Sequence, residues 1–195
     1  VSLDDIRTIG SAGINLAVSS AGIALARRLE MRFGTPYVVG TPCGTRLSEQ
    51  LAVSLKKNSA AVFPSASASA PAGASALLIV AERVFGDSLR RALRLAGCRS
   101  YIAVGSLFGG QLTEPGDVFF RTEKELVETI RSGRFTAVCG DPFLWRFPGA
   151  ERVRRYAIVH PAVSSTLTQA AVPRLVSPEF DELIETIAKE MNDEV

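Results

Sequence analysis

Short apolar runs alternate with amphipathic segments of helical length through most of the chain. The apolar runs predict strands at residues 14–18, 37–40, 77–80, 101–104, 118–120, 137–139 and 157–159. Helices are expected at residues 20–33, 45–58, 87–97 and 123–131, with a segment of helical length between the last two strands. This order of strands and helices predicts an α/β fold with parallel sheets.

Local signals mark several helix ends. Thr122 and Glu125 have the spacing of a capping box, and Ser177 followed by Pro178 is typical of a helix start. Asp87 is predicted to be the N-cap of the helix that follows the strand at 77–80. The helix at 20–33 has its predicted buried face at Leu25, Leu29 and Phe33.

The Ser/Ala/Pro-rich segment 59–76 divides the pattern into two parts. It has few side chains to bury, which predicts a linker, although a poorly capped surface helix is the alternative. The predicted organisation is a partial α/β lobe at 1–58, a Rossmann-like lobe at 77–163, and a C-terminal loop and helix at 164–195 that packs back on a lobe. Each lobe is expected to have its own parallel sheet.

Composition narrows the functional classes. The net charge is +2, and basic and acidic residues are interspersed, so we expect no nucleic-acid binding. The densest basic cluster, Arg152, Arg154 and Arg155, is predicted to be a solvated helix face. No apolar run reaches the ~18 residues that a membrane span needs. Three cysteines without paired spacing favour a reducing, cytoplasmic compartment.

Familiar cofactor motifs are missing. The turn after the strand at 77–80 carries Glu82 where a dinucleotide fingerprint needs glycine, so nicotinamide binding is not expected. Cys98 and Cys139 are predicted to be buried, and a closed zinc site has too few ligands. Cys43 lies in a loop, where it is either a packed side chain or the one plausible thiolate.

The single histidine of the chain, His160, directly follows the last predicted strand. Ligands of open parallel sheets bind beyond the carboxyl ends of the strands, so His160 is either a ligand-binding residue or an ordinary loop histidine. Asp141, after the strand at 137–139, is a turn former or cap that would lie at the same edge. Ser164, His160 and Asp141 are the residue types of a hydrolase triad, but no nucleophile elbow accompanies them.

Several motifs resemble the nitrogenase component 1-type oxidoreductases, the superfamily of molybdenum-iron protein subunits, their assembly scaffold and light-independent protochlorophyllide reductase. The resemblance covers residues 14–165. It rests on the element order and on three motifs: Glu30-Met31-Arg32-Phe33-Gly34-Thr35-Pro36-Tyr37, Thr41-Pro42-Cys43-Gly44-Thr45 and Ala137-Val138-Cys139-Gly140-Asp141.

The resemblance implies that the chain is the C-terminal part of a protein with three Rossmann-like domains, and its start at Val1 fits a fragment. Family members work as paired homologous subunits and receive electrons from an ATP-dependent iron–sulfur reductase. His160 matches a histidine that ligates the metal cluster in the cofactor-binding subunit. Ser19 or Ser20 stands where that subunit has a cysteine ligand, and serine is a poor ligand for such a cluster.

The expected function is therefore part of an oxidoreductase whose interlobe cleft holds a metallocofactor or reducible substrate. His160 would face the ligand, and Ser19, Ser20 and Asp141 would line the cleft. This fragment alone is expected to hold no metal or iron–sulfur cluster and not to be catalytically competent, although the full-length protein could carry one. The alternatives are a non-catalytic scaffold for a metallocofactor or tetrapyrrole, and a small-molecule-binding α/β module without metal.

Overall fold

The computed structural model describes residues 2–57, 75–106, 114–159 and 172–193. The strands are β1 (Asn15–Ala17), β2 (Tyr37–Val39), β3 (Ala76–Ala81), β4 (Tyr101–Ser106), β5 (Val118–Phe119), β6 (Ala137–Gly140) and β7 (Arg154–Ala157). The α-helices are α1 (Leu3–Arg7), α2 (Ser20–Phe33), α3 (Thr45–Lys56), α4 (Arg83–Leu95), α5 (Glu123–Arg131) and α6 (Pro178–Asp193).

The strands form two parallel sheets. β1 pairs with β2, and the five-stranded sheet has the order β5-β4-β3-β6-β7. The chain moves from β3 outward to β4 and β5 and then returns to the other side of β3 with β6. This reversal is the arrangement of doubly wound, Rossmann-like sheets. The predicted α/β class with parallel sheets is confirmed.

Alternating side chains of the five-stranded sheet feed two apolar layers. Leu77 and Ile79 of β3 point to one layer, which α4 and α6 cover, while Leu78 and Val80 point to the other, which α5 covers. Burial on both faces explains why the central strands are continuous apolar runs. Because the side chains of β3 alternate between these two layers, α4 and α6 lie together on one side of the sheet and α5 lies on the other.

The part of the chain before residue 58 shares the first of these layers. Leu47 and Leu51 of α3, together with Val38 of β2, lie in the same cluster of buried residues as Leu89 of α4 and Ile184 of α6. The two sheets are therefore separate in their hydrogen bonding but joined by a common apolar core. Full burial of each of these side chains contributes about 1.5–3 kcal/mol to folding.

Three local predictions were wrong. Helix α4 begins at Arg83 with Glu82 as its N-cap, so Asp87 lies inside the helix. The connection from β6 to β7 contains two 3-10 helices, Pro142–Arg146 and Ala150–Arg152, because Pro148 and Gly149 interrupt any longer helix. β7 begins three residues before the predicted strand at 157–159 and ends at Ala157.

The buried face of α2 also differs from the expected one. Leu29 is buried together with Ala26, whereas Leu25 and Phe33 are 52% and 50% exposed. Leu25, Leu29 and Phe33 do have helical spacing, but α2 is rotated about its axis so that Ala26 and Leu29 face inward.

The predicted linker 59–76 lies mostly outside the described residues. Its last two positions are ordered parts of the fold, because Ser75 is buried and Ala76 begins β3. No helix in the described ranges combines the length and apolar composition that crossing a membrane requires.

Candidate functional site

Ser19 and Ser20 follow β1 and begin helix α2. Ser19 is the N-cap in an extended conformation, but its side chain makes no capping hydrogen bond. Ser20 is the first helical residue and is half-buried. The structure therefore places both predicted residues at the carboxyl end of β1, where the chain enters a helix.

A buried carboxylate lies directly against Ser20. The Ser20 amide and hydroxyl donate hydrogen bonds to Glu82 Oε1 at 2.9 and 2.5 Å. The amides of Val84 and Phe85 donate to Glu82 Oε2 at 3.0 and 3.1 Å. One carboxylate thus accepts hydrogen bonds from the N-termini of α2 and α4, where it also meets the positive ends of both helix dipoles. We call this contact the Glu82 junction.

The hydrogen bonds of the Glu82 junction determine the charge state of Glu82. Burial raises the pKa of this carboxyl, but the hydrogen bonds from the Ser20 hydroxyl and from the amides of Ser20, Phe85 and Val84 outweigh burial and lower it. Glu82 is therefore an anion at neutral pH although only 6% of the residue is exposed. The position at which dinucleotide folds receive a phosphate is occupied by a carboxylate of the protein itself.

A second polar contact joins the same elements. The Thr41 amide, just beyond β2, donates to the Ser88 hydroxyl of α4 at 2.9 Å, and the Thr41 hydroxyl donates to the Val18 carbonyl at 2.7 Å. Both sheets therefore turn the carboxyl ends of their strands toward the first turns of α4. The ends of β1, β2 and β3 meet in one place.

Asp141 lies at this edge of the five-stranded sheet. Gly140 pairs with Val80 of β3 and with Ala157 of β7, so the next residue, Asp141, stands at the reversal point between β3 and β6. Asp141 Oδ1 accepts a hydrogen bond from the Phe143 amide at 2.7 Å and caps the first 3-10 helix. Asp141 Oδ2 is buried without a hydrogen-bond partner. Asp141 therefore caps the 3-10 helix with one carboxylate oxygen, while its other oxygen has no hydrogen-bond donor.

His160 and Ser164 lie outside the described residues. The described segment before them ends at Val159. Val159 is buried, and the amide of the preceding Ile158 donates to the Gly140 carbonyl at 2.9 Å. The role of His160 therefore stays a prediction.

The three cysteines are free and buried. Burial raises the pKa of the Cys43 thiol well above its usual range, with the neighbouring Cys139 and Asp181 adding to the effect. Burial likewise raises the pKa of Cys139 to about 12. The packed-residue interpretation of Cys43 is supported, because a protonated thiol without access to solvent is neither a nucleophile nor a metal ligand.

Helix α4 carries a buried ionic cluster that the sequence did not predict. The Arg90 guanidinium, 2% exposed, contacts Asp87 and Asp117 at 2.7 Å each and Glu114 at 3.5 Å. Asp117 Oδ1 also accepts a hydrogen bond from the Val104 amide at 2.8 Å, which ties the cluster to β4. The i, i+3 spacing of Asp87 and Arg90 is the available signal in the sequence, but Asp87 by itself is also a strong candidate for an N-cap.

The described residues offer oxygen donors but no metal-binding set. No group of three or more His, Cys, Asp or Glu side chains with metal-binding geometry occurs among them. No family model, no curated protein and no solved structure matches the chain.

Proposed function

We propose that the chain is the C-terminal portion of a nitrogenase component 1-like oxidoreductase and that the carboxyl ends of its two sheets line a cleft for a reducible ligand. The observation that carries the proposal is the Glu82 junction, because it gathers the ends of β1 and β3 at one place. Ligands of open α/β sheets bind at this edge. An ATP-dependent iron–sulfur reductase would supply electrons, and a homologous subunit would complete the assembly.

The donor chemistry of the described residues favours an organic ligand over a metal cluster. Iron–sulfur clusters and related metals select thiolates, whereas the described edge presents the hydroxyl of Ser19 and the carboxyl of Asp141. The Ser20 hydroxyl is already donated to Glu82, and the cysteine thiols are buried and protonated. These residues do not fit a metal cluster. They suit a ligand held by hydrogen bonds.

Each residue then has a defined role. Ser20 and Glu82 are positioning residues that hold the two sheet edges together. Asp141 Oδ2, a buried acceptor without a donor, would accept an N–H or O–H group of the ligand, since an unpaired buried acceptor costs about 1–3 kcal/mol. His160 would donate a hydrogen bond or a proton to the ligand.

The test is anaerobic purification of the full-length protein, followed by a visible spectrum, metal analysis and a reduction assay with the reductase partner. The proposal predicts a bound chromophore or substrate that is reduced only when the reductase and ATP are present. A bound chromophore without any turnover would favour the scaffold function. A colourless protein that neither binds nor reduces a substrate would contradict both.

Two variants assign the residues. His160→Ala and Asp141→Asn are expected to lower ligand content or turnover about tenfold, which corresponds to about 1.4 kcal/mol. Asparagine retains the Oδ1 acceptor for the Phe143 amide, so Asp141→Asn preserves the cap. The matched control is Asp193→Asn on the exposed end of α6, which should leave both quantities unchanged.

A further inference from the structure

A basic, aromatic surface surrounds the two 3-10 helices between β6 and β7. Residues 131–155 contain six arginines and two acidic residues, a net charge of +4 in a chain whose total is +2. We call the exposed part of this surface the basic patch. It consists of Arg131, Arg146, Arg152, Arg155 and Phe143. Four of the six arginines of this segment therefore belong to the basic patch.

Aromatic rings contact two of the four guanidinium groups of the basic patch. The Arg155 guanidinium lies 5.9 Å from the ring centre of Trp145, and that of Arg146 lies 5.4 Å from Phe143. Phe143 also meets Phe147 edge to face, with ring centres 5.8 Å apart. Stacked guanidinium groups lose little entropy on binding and keep their N–H edges free for carboxylates.

Most charges of the basic patch lack an acidic partner. Arg152 faces Glu151 at 3.8 Å, but within the described ranges no carboxylate lies within salt-bridge distance of Arg131, Arg146 or Arg155. Phe143, at the same surface, is 49% exposed. An exposed aromatic ring among unpaired guanidinium groups has the composition of a protein-binding surface rich in carboxylate partners.

Helix α6 carries the complementary charge. Residues 178–193 contain six acidic residues and one lysine, a net charge of −5. Glu179, Glu182 and Glu185 are exposed along one side of the helix, and we call them the acidic face. Their spacing of three residues places the carboxylates in one row. The chain thus bears two surfaces of opposite charge.

We propose that the basic patch binds the acidic face of a second copy of the chain. Helix α6 and the basic patch lie on opposite sides of the sheet at the edge strand β7: Arg154 contacts Glu190 of α6 at 3.4 Å, and the next residue, Arg155, covers Trp145. A two-fold axis along β7 exchanges the two sides. The acidic face of each copy then meets the basic patch of the other, and the contact is made twice.

The contact is electrostatic and therefore sensitive to salt. The Debye length falls from about 10 Å at 0.1 M to about 3 Å at 1 M ionic strength. Sedimentation equilibrium of the protein is the direct measurement. At low salt and high micromolar concentration the weight-average mass should approach twice the 20.8 kDa of the monomer, and near 1 M salt it should return to the monomer value.

Charge reversal identifies the surfaces. Arg146→Glu/Arg155→Glu and Glu182→Lys/Glu185→Lys should each be monomeric at low salt, whereas an equimolar mixture of the two variants should again dimerise. Arg28→Glu/Lys57→Glu is the control for the first variant, since it makes the same change in net charge at exposed positions elsewhere, and it should dimerise like the unchanged protein. A monomeric protein at low salt, or a mixture that stays monomeric, would overturn the proposal.

Discussion

Glu82 accepts hydrogen bonds from both the amide and the hydroxyl of Ser20, a residue 62 positions away in the sequence. The same carboxylate caps helix α4. A single buried anion therefore connects the start of α2, which follows β1, to the start of α4, which follows β3. Four donors from two helix ends satisfy both of its oxygens, which makes the anion stable although it is buried.

The pH dependence of folding should carry the signature of Glu82. Its pKa is lower in the folded protein than the ordinary value of 4.5, so its stabilising contribution is complete above that pH. The contribution is lost as the pH falls through the folded pKa. The difference in free energy of unfolding between the unchanged protein and Glu82→Gln should therefore shrink from pH 7 to about pH 3.

Urea titrations at a series of pH values measure this difference. Glu123→Gln, at an exposed position in the first turn of α5, should follow the acid dependence of the unchanged protein. A stability difference between the unchanged protein and Glu82→Gln that stays constant across the acid range would show that Glu82 does not ionise as described.

Local sequence signals located several elements correctly. Thr122 is confirmed as the N-cap of α5, because the Glu125 amide donates to Thr122 Oγ1 at 3.2 Å. The reciprocal contact of a capping box differs, since the Glu125 carboxylate accepts from the Arg121 amide at 2.8 Å rather than from the Thr122 amide. The Phe180 amide donates to Ser177 Oγ at 3.3 Å, and Pro178 begins α6 as predicted. These signals were sufficient because donor and acceptor lie within a few residues of each other.

Long-range contacts could not be predicted in this way. Glutamate is not among the preferred N-cap residues, and its partner Ser20 belongs to another sheet, so Asp87 was the better local candidate for the cap. Arg90 was assigned no site for a similar reason: Asp117, which accepts a bidentate contact from it, follows β4 rather than α4. The edge position of Asp141 was predictable because it depends only on strand order.

Removal of Arg90 should destabilise the fold strongly. Arg90→Met leaves Asp117 buried without its ion-pair partner, while Asp87 keeps only its contact with the partly exposed Arg91 at 2.7 Å. We therefore expect a loss of about 3–5 kcal/mol in the free energy of unfolding. Arg90→Lys keeps the charge without the bidentate geometry and should lose less. Urea unfolding of both variants, with Arg91→Met as the partly exposed control, gives the comparison. Equal losses for Arg90→Met and Arg91→Met would contradict the described cluster.

Gly44 and Gly133 together distinguish two costs of adding a methyl group, namely backbone strain and steric contact with a neighbour. Its φ is +70°, and a Cβ there would lie 2.8 Å from Ile184 Cδ1 of α6. Gly133 has a φ of +73° but nothing within 4 Å of that position. Gly133→Ala should therefore cost about 1 kcal/mol from backbone strain alone, and Gly44→Ala clearly more.

Thermal unfolding of both variants measures the difference. In Ile184→Val, which lacks Cδ1, the additional cost of Gly44→Ala should decrease, while the contact of the new Cβ with Asp181 Oδ1 at 3.1 Å remains. If Gly44→Ala is no worse than Gly133→Ala, α6 does not pack against the start of α3 as described.

The cysteines should be unreactive in the folded protein. Burial raises the pKa of Cys43, Cys98 and Cys139, so iodoacetamide at mildly alkaline pH should leave the native chain unmodified. In concentrated urea, mass spectrometry should detect three additions. Rapid alkylation of Cys43 in the native protein would contradict its burial and would indicate an accessible thiolate.

The central claim is that Ser20 and Glu82 connect the two sheets at the carboxyl ends of their strands. A double-mutant cycle of Ser20→Ala and Glu82→Gln, followed by urea unfolding, measures this connection directly. We expect losses of about 1 kcal/mol for Ser20→Ala and about 2–3 kcal/mol for Glu82→Gln, with a coupling energy of about 1 kcal/mol or more. Strictly additive losses would show that the two side chains do not interact and would contradict the account.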